Sequence, residues 1–258
     1  MPRRRFYVPR DQIRNGVAIL PPDQSHHLFN VLRLRPGDEV EVFDGEGVNY
    51  AGEVSDAGPE IRIRKVIKEG EISPAKCRII LAPALIKPER FEWMLQKATE
   101  LGVEEFIPLM TRYSETSISA ERLDKRMERW RRIVREASKQ CCRLSIPNIR
   151  RPERFEDFLN SGRGRDGSKL MLYEKAAISR GLQVPQSDQV LLCIGPEGGW
   201  DREEVADAEK AGYDVFSLGD RILRSETAAI AAVSIVQFLG GRLGQEGFQP
   251  ASRLPEQG

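Results

Sequence analysis

Between residues 189 and 239 two short apolar runs each break off in a glycine turn, and each turn gives way to a helix. The first run, 190–194, is apolar throughout and too short for a helix, which marks a strand buried on both faces. It stops at Gly195-Pro196-Glu197-Gly198-Gly199, where glycines permit positive φ or close backbone approach and proline fixes φ. Asp201 is placed to cap the next helix, with Glu204 three residues on in capping-box register, and Gly212 closes it after Ala211. A second buried strand, 215–218, runs into Gly219. After Asp220-Arg221-Ile222-Leu223-Arg224 a long helix starts near Ser225. Two strands that end in glycine turns at one sheet edge define an α/β architecture with a small-molecule site at that edge.

The turns exclude two common ligand chemistries. Residues 195–199 fit neither the GxGxxG dinucleotide fingerprint nor the GxxxxGK[ST] phosphate loop. Two backbone-rich loops beside apolar Ile222 and Leu223 suit a ligand with a flat aromatic part and several hydrogen-bonding edges. A tight turn with no ligand is the simpler reading of a lone Gly-Pro-Glu-Gly-Gly. Its pairing with a second turn, followed by RILRSETAA, argues against that reading.

Upstream, residues 1–70 carry short alternating stretches at 17–20, 39–43, 49–54 and 61–66, separated by Gly- and Pro-containing turns. This spacing predicts a small all-β barrel, with 26–32 as its helical segment. Residues 68–74 are polar with Gly and Pro and read as a linker. The pattern then switches to strands alternating with helices. A strand at 78–85 precedes a helix opened by Pro88 and closed by Gly102, with Phe91, Met94, Leu95, Ala98 and Leu101 on one face. A strand at 106–110 follows, then an amphipathic helix over 120–142 whose buried stripe is Leu123, Met127, Trp130, Val134, Ala137 and Cys141. Residues 150–168 read as loop-rich, and 170–173 resume the sheet. Such alternation implies a mostly parallel sheet. The expected domains are therefore 1–70 and 75–243, with 244–258, rich in Gly, Pro and Gln, as a disordered tail.

A net charge of +1 conceals two basic segments. Residues 122–154 hold twelve Arg or Lys against Asp124, Glu128, Glu136 and Glu153, and residues 1–14 hold five Arg against Asp11. Such concentration points to a polyanionic partner, although a solvated helix face explains 122–143 equally well. No run approaches the roughly eighteen apolar residues of a membrane helix, and the N-terminus lacks the apolar stretch of a secretory signal. The four cysteines show no CxxC spacing, and Cys193 falls inside a core strand. This argues against a metal site or a disulfide framework and fits a reducing cytoplasm. His26 and His27 are the only histidines and read as structural.

Several of these segments resemble one family. IGPEGG at 194–199, followed by LGDRILRSETAA at 218–229, is similar to the SPOUT class of RNA methyltransferases, specifically the RsmE-type enzymes that methylate N3 of a uridine in small-subunit (16S) ribosomal RNA. RRFYV at 4–8, HHLFNVLRLRPGD at 26–38, QKATELGV at 96–103 and EASKQCCR at 136–143 extend the resemblance over residues 3–241. It implies an N-terminal PUA-like β-barrel that binds RNA and a C-terminal SPOUT α/β domain with a deep trefoil knot. It also implies S-adenosyl-L-methionine (SAM) as cofactor, 16S rRNA or the assembled small ribosomal subunit as substrate, and a cytoplasmic homodimer whose sites borrow residues from the partner. The helix from 226 suits close approach of a second helix, since Ala228, Ala229, Ala231, Ala232 and Ser234 line it and it has almost no solvent face, with burial within the monomer as the competing explanation.

On that resemblance SAM would be held by Leu172, Gly195, Pro196, Glu197, Gly198, Leu218, Gly219, Ile222, Leu223, Thr227 and Ala228. Arg3, Arg5, Arg33, Arg129 and Arg132 would contact RNA. Methylation at uracil N3 removes an imide proton and spreads negative charge onto O2 and O4, which a positioned arginine can stabilise. Arg224 and Arg221 lie beside the turns, and Arg143 matches the EASKQCCR segment. Arg224 is favoured because a cation in an apolar Ile-Leu-Arg-Ser turn is costly without a polar partner. Glu226 is the carboxylate to weigh as a base, although it and Glu197 suit bracing roles better, Glu226 meeting a helix dipole and holding Arg221 or Arg224 in place. Two alternatives stay open: a SPOUT enzyme acting on a ribose 2′-oxygen or a tRNA base, and a non-catalytic RNA-binding protein.

Overall fold

The alternating stretches near the N-terminus build a six-stranded mixed sheet. A computed structural model describes residues 3–55, 61–71, 77–114, 120–164, 166–176, 187–240 and 243. The expected disordered tail from 244 lies outside the described residues. The chain divides into two units, one of residues 1–74 with 138–146, the other of 75–137 and 147–246.

In the first unit the strands are β1 (Arg4–Tyr7), β2 (Ile13–Arg14), β3 (Val17–Ile19), β4 (Glu39–Phe43), β5 (Val48–Val54) and β6 (Arg62–Glu71), in the order β1-β4-β5-β6-β3-β2. Strand β1 joins β4 in parallel, and the other described pairings are antiparallel. Asn15 and Gly16, both at positive φ, form the two-residue hairpin between β2 and β3. Alternate residues Phe6, Val40, Val42, Val54 and Ile63 bury one face, against Leu20 and Leu28. Leu28 lies in a single π turn, His27–Val31, that continues helix α1 (Pro22–His26). His26 meets the Asn30 side chain at 2.9 Å, and the His27 ring stands edge-on to Phe6.

Residues 68–71, expected as linker, are strand: β6 pairs Lys68 with Tyr50 and Glu71 with Val48. Two register shifts in this pairing break the alternation that would have revealed it. The rest of that linker, 72–74, lies outside the described residues.

The second unit holds β7 (Arg78–Pro83), α2 (Pro88–Glu100), β8 (Glu105–Phe106), β9 (Leu109–Met110) and all but the last three residues of α3 (Ala120–Gln140). It continues with β10 (Asn148–Ile149), β11 (Glu153–Arg154), α4 (Phe155–Asn160), β12 (Ser168–Leu172), β13 (Gln189–Ile194), α5 (Arg202–Lys210), β14 (Asp214–Phe216) and α6 (Ser225–Leu239). Its main sheet runs β10-β8-β7-β13-β12-β14, and every described pairing is parallel. The strand expected at 106–110 is two short strands, with Pro108 between them unable to donate to a ladder. The stretch 150–168 is not all loop, since α4 buries Phe155 and Phe158 one turn apart.

Strand β13 is covered on both faces. Leu191 and Cys193 join Phe155, Phe158, Val205 and Ala208 in one cluster, while Val190, Leu192 and Ile194 are buried toward the other face, where α6 packs. Burial pushes the Cys193 thiol well above its ordinary range, so it serves as an apolar core residue and not a nucleophile. Helix α2 buries Phe91, Met94, Leu95 and Ala98, and Phe91 packs on Trp130 of α3 with ring centroids 4.6 Å apart.

Candidate active site

Because the sheet is parallel, its C-terminal ends share one edge. Leu172 is the register partner of both Ile194 and Phe216, so β12 lies between the two strands that carry the glycine turns. The strands that carry the turns are therefore not neighbours, and the intervening strand sets the turns on either side of Leu172.

Three contacts fix the edge. The Trp200 indole donates from Nε1 to the Leu172 carbonyl at 2.9 Å, tying the first turn to β12. Ser225 donates its hydroxyl to the Gly195 carbonyl at 2.6 Å, tying that turn to the start of α6. Ser217 accepts from the Gly219 amide at 3.3 Å and donates to its carbonyl at 2.9 Å, closing the second turn with Gly219 at φ +123°. Gly195 is required by proximity, since a Cβ there would stand 2.8 Å from Trp200 Nε1. Beyond the first turn, Asp201 and Glu204 form the expected capping box on α5. The Asp201 carboxyl is held below its usual range by the Glu203 amide, then by the Tyr113 hydroxyl and Arg112.

These elements enclose a cleft of about 320 Å³, at the small end of the range for small-molecule sites. Of the residues named from the sequence, Leu172, Gly195, Pro196, Glu197, Leu218, Arg221, Ile222, Leu223, Arg224 and Ala228 line it. Gly198, Gly219, Thr227 and Glu226 do not; a Cβ on Gly198 would point at Tyr113, 2.9 Å away, rather than into the cleft. Arg90, Glu174, Trp200, Ser217 and Ser225 line it without having been foreseen. A larger trough of about 1020 Å³ takes in charged residues of α4 and α5, among them Glu156, Glu203, Asp207 and Lys210, but neither glycine turn.

The charged candidates separate into distinct settings. Arg224 precedes α6, its carbonyl accepting from the Ala228 amide at 2.8 Å. Its side chain is exposed, as are Ile222 and Leu223, so the expected desolvation cost of a cation in an apolar turn does not arise. Arg221 is 90% exposed and stands 3.9 Å from Asp220. Glu226 faces neither arginine. Its Oε1 lies 3.9 Å from Arg90 Nε, and its Oε2 is buried without a hydrogen-bond partner. Glu197 ion-pairs with the same Arg90. Arg143 does not line the cleft; it belongs to the first unit, where Arg5 donates to its carbonyl at 2.7 Å.

The arginines expected on RNA also differ. Arg5 is buried, pairs with Glu41 at 3.1 Å and lies over the Phe43 ring, so it is enclosed where a surface contact was expected. Burial raises the Glu41 carboxyl, and Arg5 opposes that shift. Arg3 bonds Glu39 at 3.0 Å and Glu69 at 2.5 Å. Arg129 grips Glu92 through two nitrogens, at 2.5 and 2.7 Å. Arg33 and Arg132 are exposed, Arg33 at φ +54°.

The parallel sheet with a cleft at its C-terminal edge is that of an α/β domain built to take a small ligand. A family model described as an RNA methyltransferase domain matches residues 73–237, more than half the chain, and one described as an RNA methyltransferase PUA domain matches 20–66. The chain is 33% identical to ribosomal RNA small subunit methyltransferase E of Synechocystis sp., over 91% of this chain and 77% of that protein. It is 31% identical to the Rickettsia conorii protein of the same name, over 92% and 96%. Among solved structures, a methyltransferase from Legionella pneumophila in complex with SAM superposes with a TM-score of 0.83 at 32% identity, covering 92% of this chain and 98% of that one. Ribosomal RNA small subunit methyltransferase E from Neisseria gonorrhoeae, bound to SAM, gives 0.81 at 28%, covering 93% and 98%. The chain belongs to the ribosomal RNA small subunit methyltransferase E family.

Proposed function

We propose that this chain binds SAM in the cleft between the two glycine turns and methylates N3 of one uridine in 16S rRNA, acting in the cytoplasm as a homodimer. The observation that carries the reading is the cleft itself, two of whose lining residues, Ser225 and Gly195, are hydrogen-bonded to each other, in a chain of this family. The 1–70 region would serve as the RNA-binding domain and 75–243 as the catalytic one.

The residues present suit the cofactor. Leu172, Ile194, Leu218, Leu223 and Ala228 offer apolar surface to a flat heteroaromatic ring, and the turns offer backbone to its polar edges. The Glu174 carboxylate offers charge complementarity to a cationic group. When bound, SAM supplies a methyl group on a sulfonium whose leaving group is a neutral thioether. The chain therefore needs chiefly to align the acceptor and expose its lone pair.

Loss of the uracil N3 proton places negative charge on O2 and O4. Arg224, exposed at the cleft, is assigned to that charge, with Arg221 beside it. Glu226 does not line the cleft and its Oε2 is enclosed, so it is assigned a bracing role and the imide proton goes to solvent. Exposed Arg33 and Arg132 are assigned to phosphate contacts, which position RNA without selecting a base.

The homodimer is supported by what α6 leaves uncovered. Ala228, Ala229, Ala232, Val233 and Val236 are buried, yet Phe238 is 64% and Ile235 36% exposed. The helix thus has an apolar outward face where almost no solvent face was expected. Incubation of the chain with isotopically labelled SAM and either naked 16S rRNA or assembled small subunits tests the function. Label should enter the RNA, and failure with both substrates contradicts it.

A further inference from the structure

We propose that Arg90 is a positioning residue that sets the cofactor cleft by holding the carboxylates of both sides at once. This rests on the reading of the cleft as a SAM site. Arg90 lies in the first turn of α2, next to Phe91, whose ring is buried in the core. Arg90 lines the cleft. It pairs through Nη1 with Glu197, at the tip of the first turn, and stands with Nε 3.9 Å from Glu226, in the first turn of α6.

The first turn needs such a hold at its tip. Its base is anchored by Trp200 and Ser225, but within it the described backbone bond is Gly199 N–H to the Pro196 carbonyl at 3.0 Å. Glycines at 195, 198 and 199 leave the backbone free to adopt other conformations. Glu226 has its own requirement. Its side chain is 12% exposed and Oε2 has no hydrogen-bond partner, so the carboxylate depends on a nearby cation. A planar guanidinium with donors on different edges can serve two carboxylates in different directions, whereas an ammonium is a point charge. Without Arg90, Glu197 and Glu226 lose their shared counter-charge and the turn is released at its tip.

Isothermal titration of SAM into the full chain and four variants tests this, with circular dichroism confirming the fold of each. Arg90→Ala should weaken SAM about tenfold, a coupling of ordinary size for groups in one ion-pair network. Arg90→Lys should recover only part of that loss. Glu197→Gln should weaken binding as well, and the double variant Arg90→Ala/Glu197→Gln should bind within about twofold of Arg90→Ala alone, since both changes break one linkage. Arg90→Ala binding within about twofold of wild type overturns the proposal. So does a double variant whose loss is the product of the two single losses, because Arg90 would then act independently of Glu197. Wild-type chain that fails to bind SAM rejects the underlying site assignment and this proposal with it, an outcome distinct from either of those.

Discussion

Ser225 and Gly195, thirty residues apart, meet through a 2.6 Å hydrogen bond that makes the start of α6 and the first glycine turn one piece of structure. Ser225 is only 6% exposed, so Ser225→Ala leaves a carbonyl without its partner in a sheltered place. A loss of about 1–2 kcal/mol in unfolding free energy is expected, along with a several-fold loss of SAM affinity. Denaturant titration and calorimetry measure the two. Unchanged values for both would remove this bond from the site's support.

Arg224 separates binding from chemistry. Its exposed side chain lies at the cleft, while its backbone carbonyl already serves α6. Arg224→Ala should leave SAM affinity within about twofold yet lower the rate of methyl transfer by about a hundredfold, the scale for removing one preorganised group that stabilises developing charge. Arg224→Lys should restore part of the rate, because the charge returns without the planar fork. Equal losses in SAM binding and turnover would make Arg224 a cofactor residue instead.

The parts of this site that sequence revealed are those with short-range grammar. The apolar run of β13, the glycines that end it, and the Asp201–Glu204 capping box all lie within sixteen residues and were read correctly. Sequence did not show that β12 would sit between β13 and β14, because strand order is set by packing rather than by local pattern. Arg90 was invisible for a similar reason: its partners, Glu197 and Glu226, are more than a hundred residues away. The burial of Arg5 is not legible in the sequence, because it depends on a parallel pairing of β1 with β4, which places Glu41 opposite it. The turn after β2 carries a further signal in the sequence, the Asn15-Gly16 pair of a two-residue hairpin.

The uncovered face of α6 predicts self-association. Phe238→Asp places a charge on the most exposed large apolar residue of that helix without touching its buried side. Sedimentation at micromolar concentration should show a dimer for wild type and a shift toward monomer for the variant. A monomeric wild-type chain would contradict the assignment.

The α5 cap should give a pH signature. The folded-state carboxyl of Asp201 lies below its ordinary value, chiefly through the Glu203 amide. Its contribution to stability is therefore present above the unfolded carboxylate pKa of about 3.9 and is lost as pH falls through the lower folded value. Asp201→Ala should be less stable than wild type at pH 7, with the gap closing in strongly acidic solution. A gap that stays constant with pH would mean that the cap's charge is not involved.

The identity of the methylated atom tests the proposed function most directly. Small-subunit rRNA treated with this chain and SAM, digested to nucleosides and resolved by mass spectrometry against standards, should contain N3-methyluridine that is absent from the untreated RNA. Its yield should fall with Arg224→Ala. A 2′-O-methylated nucleoside, or a methylated base other than uracil, would contradict the assignment of Arg224 to a uracil anion.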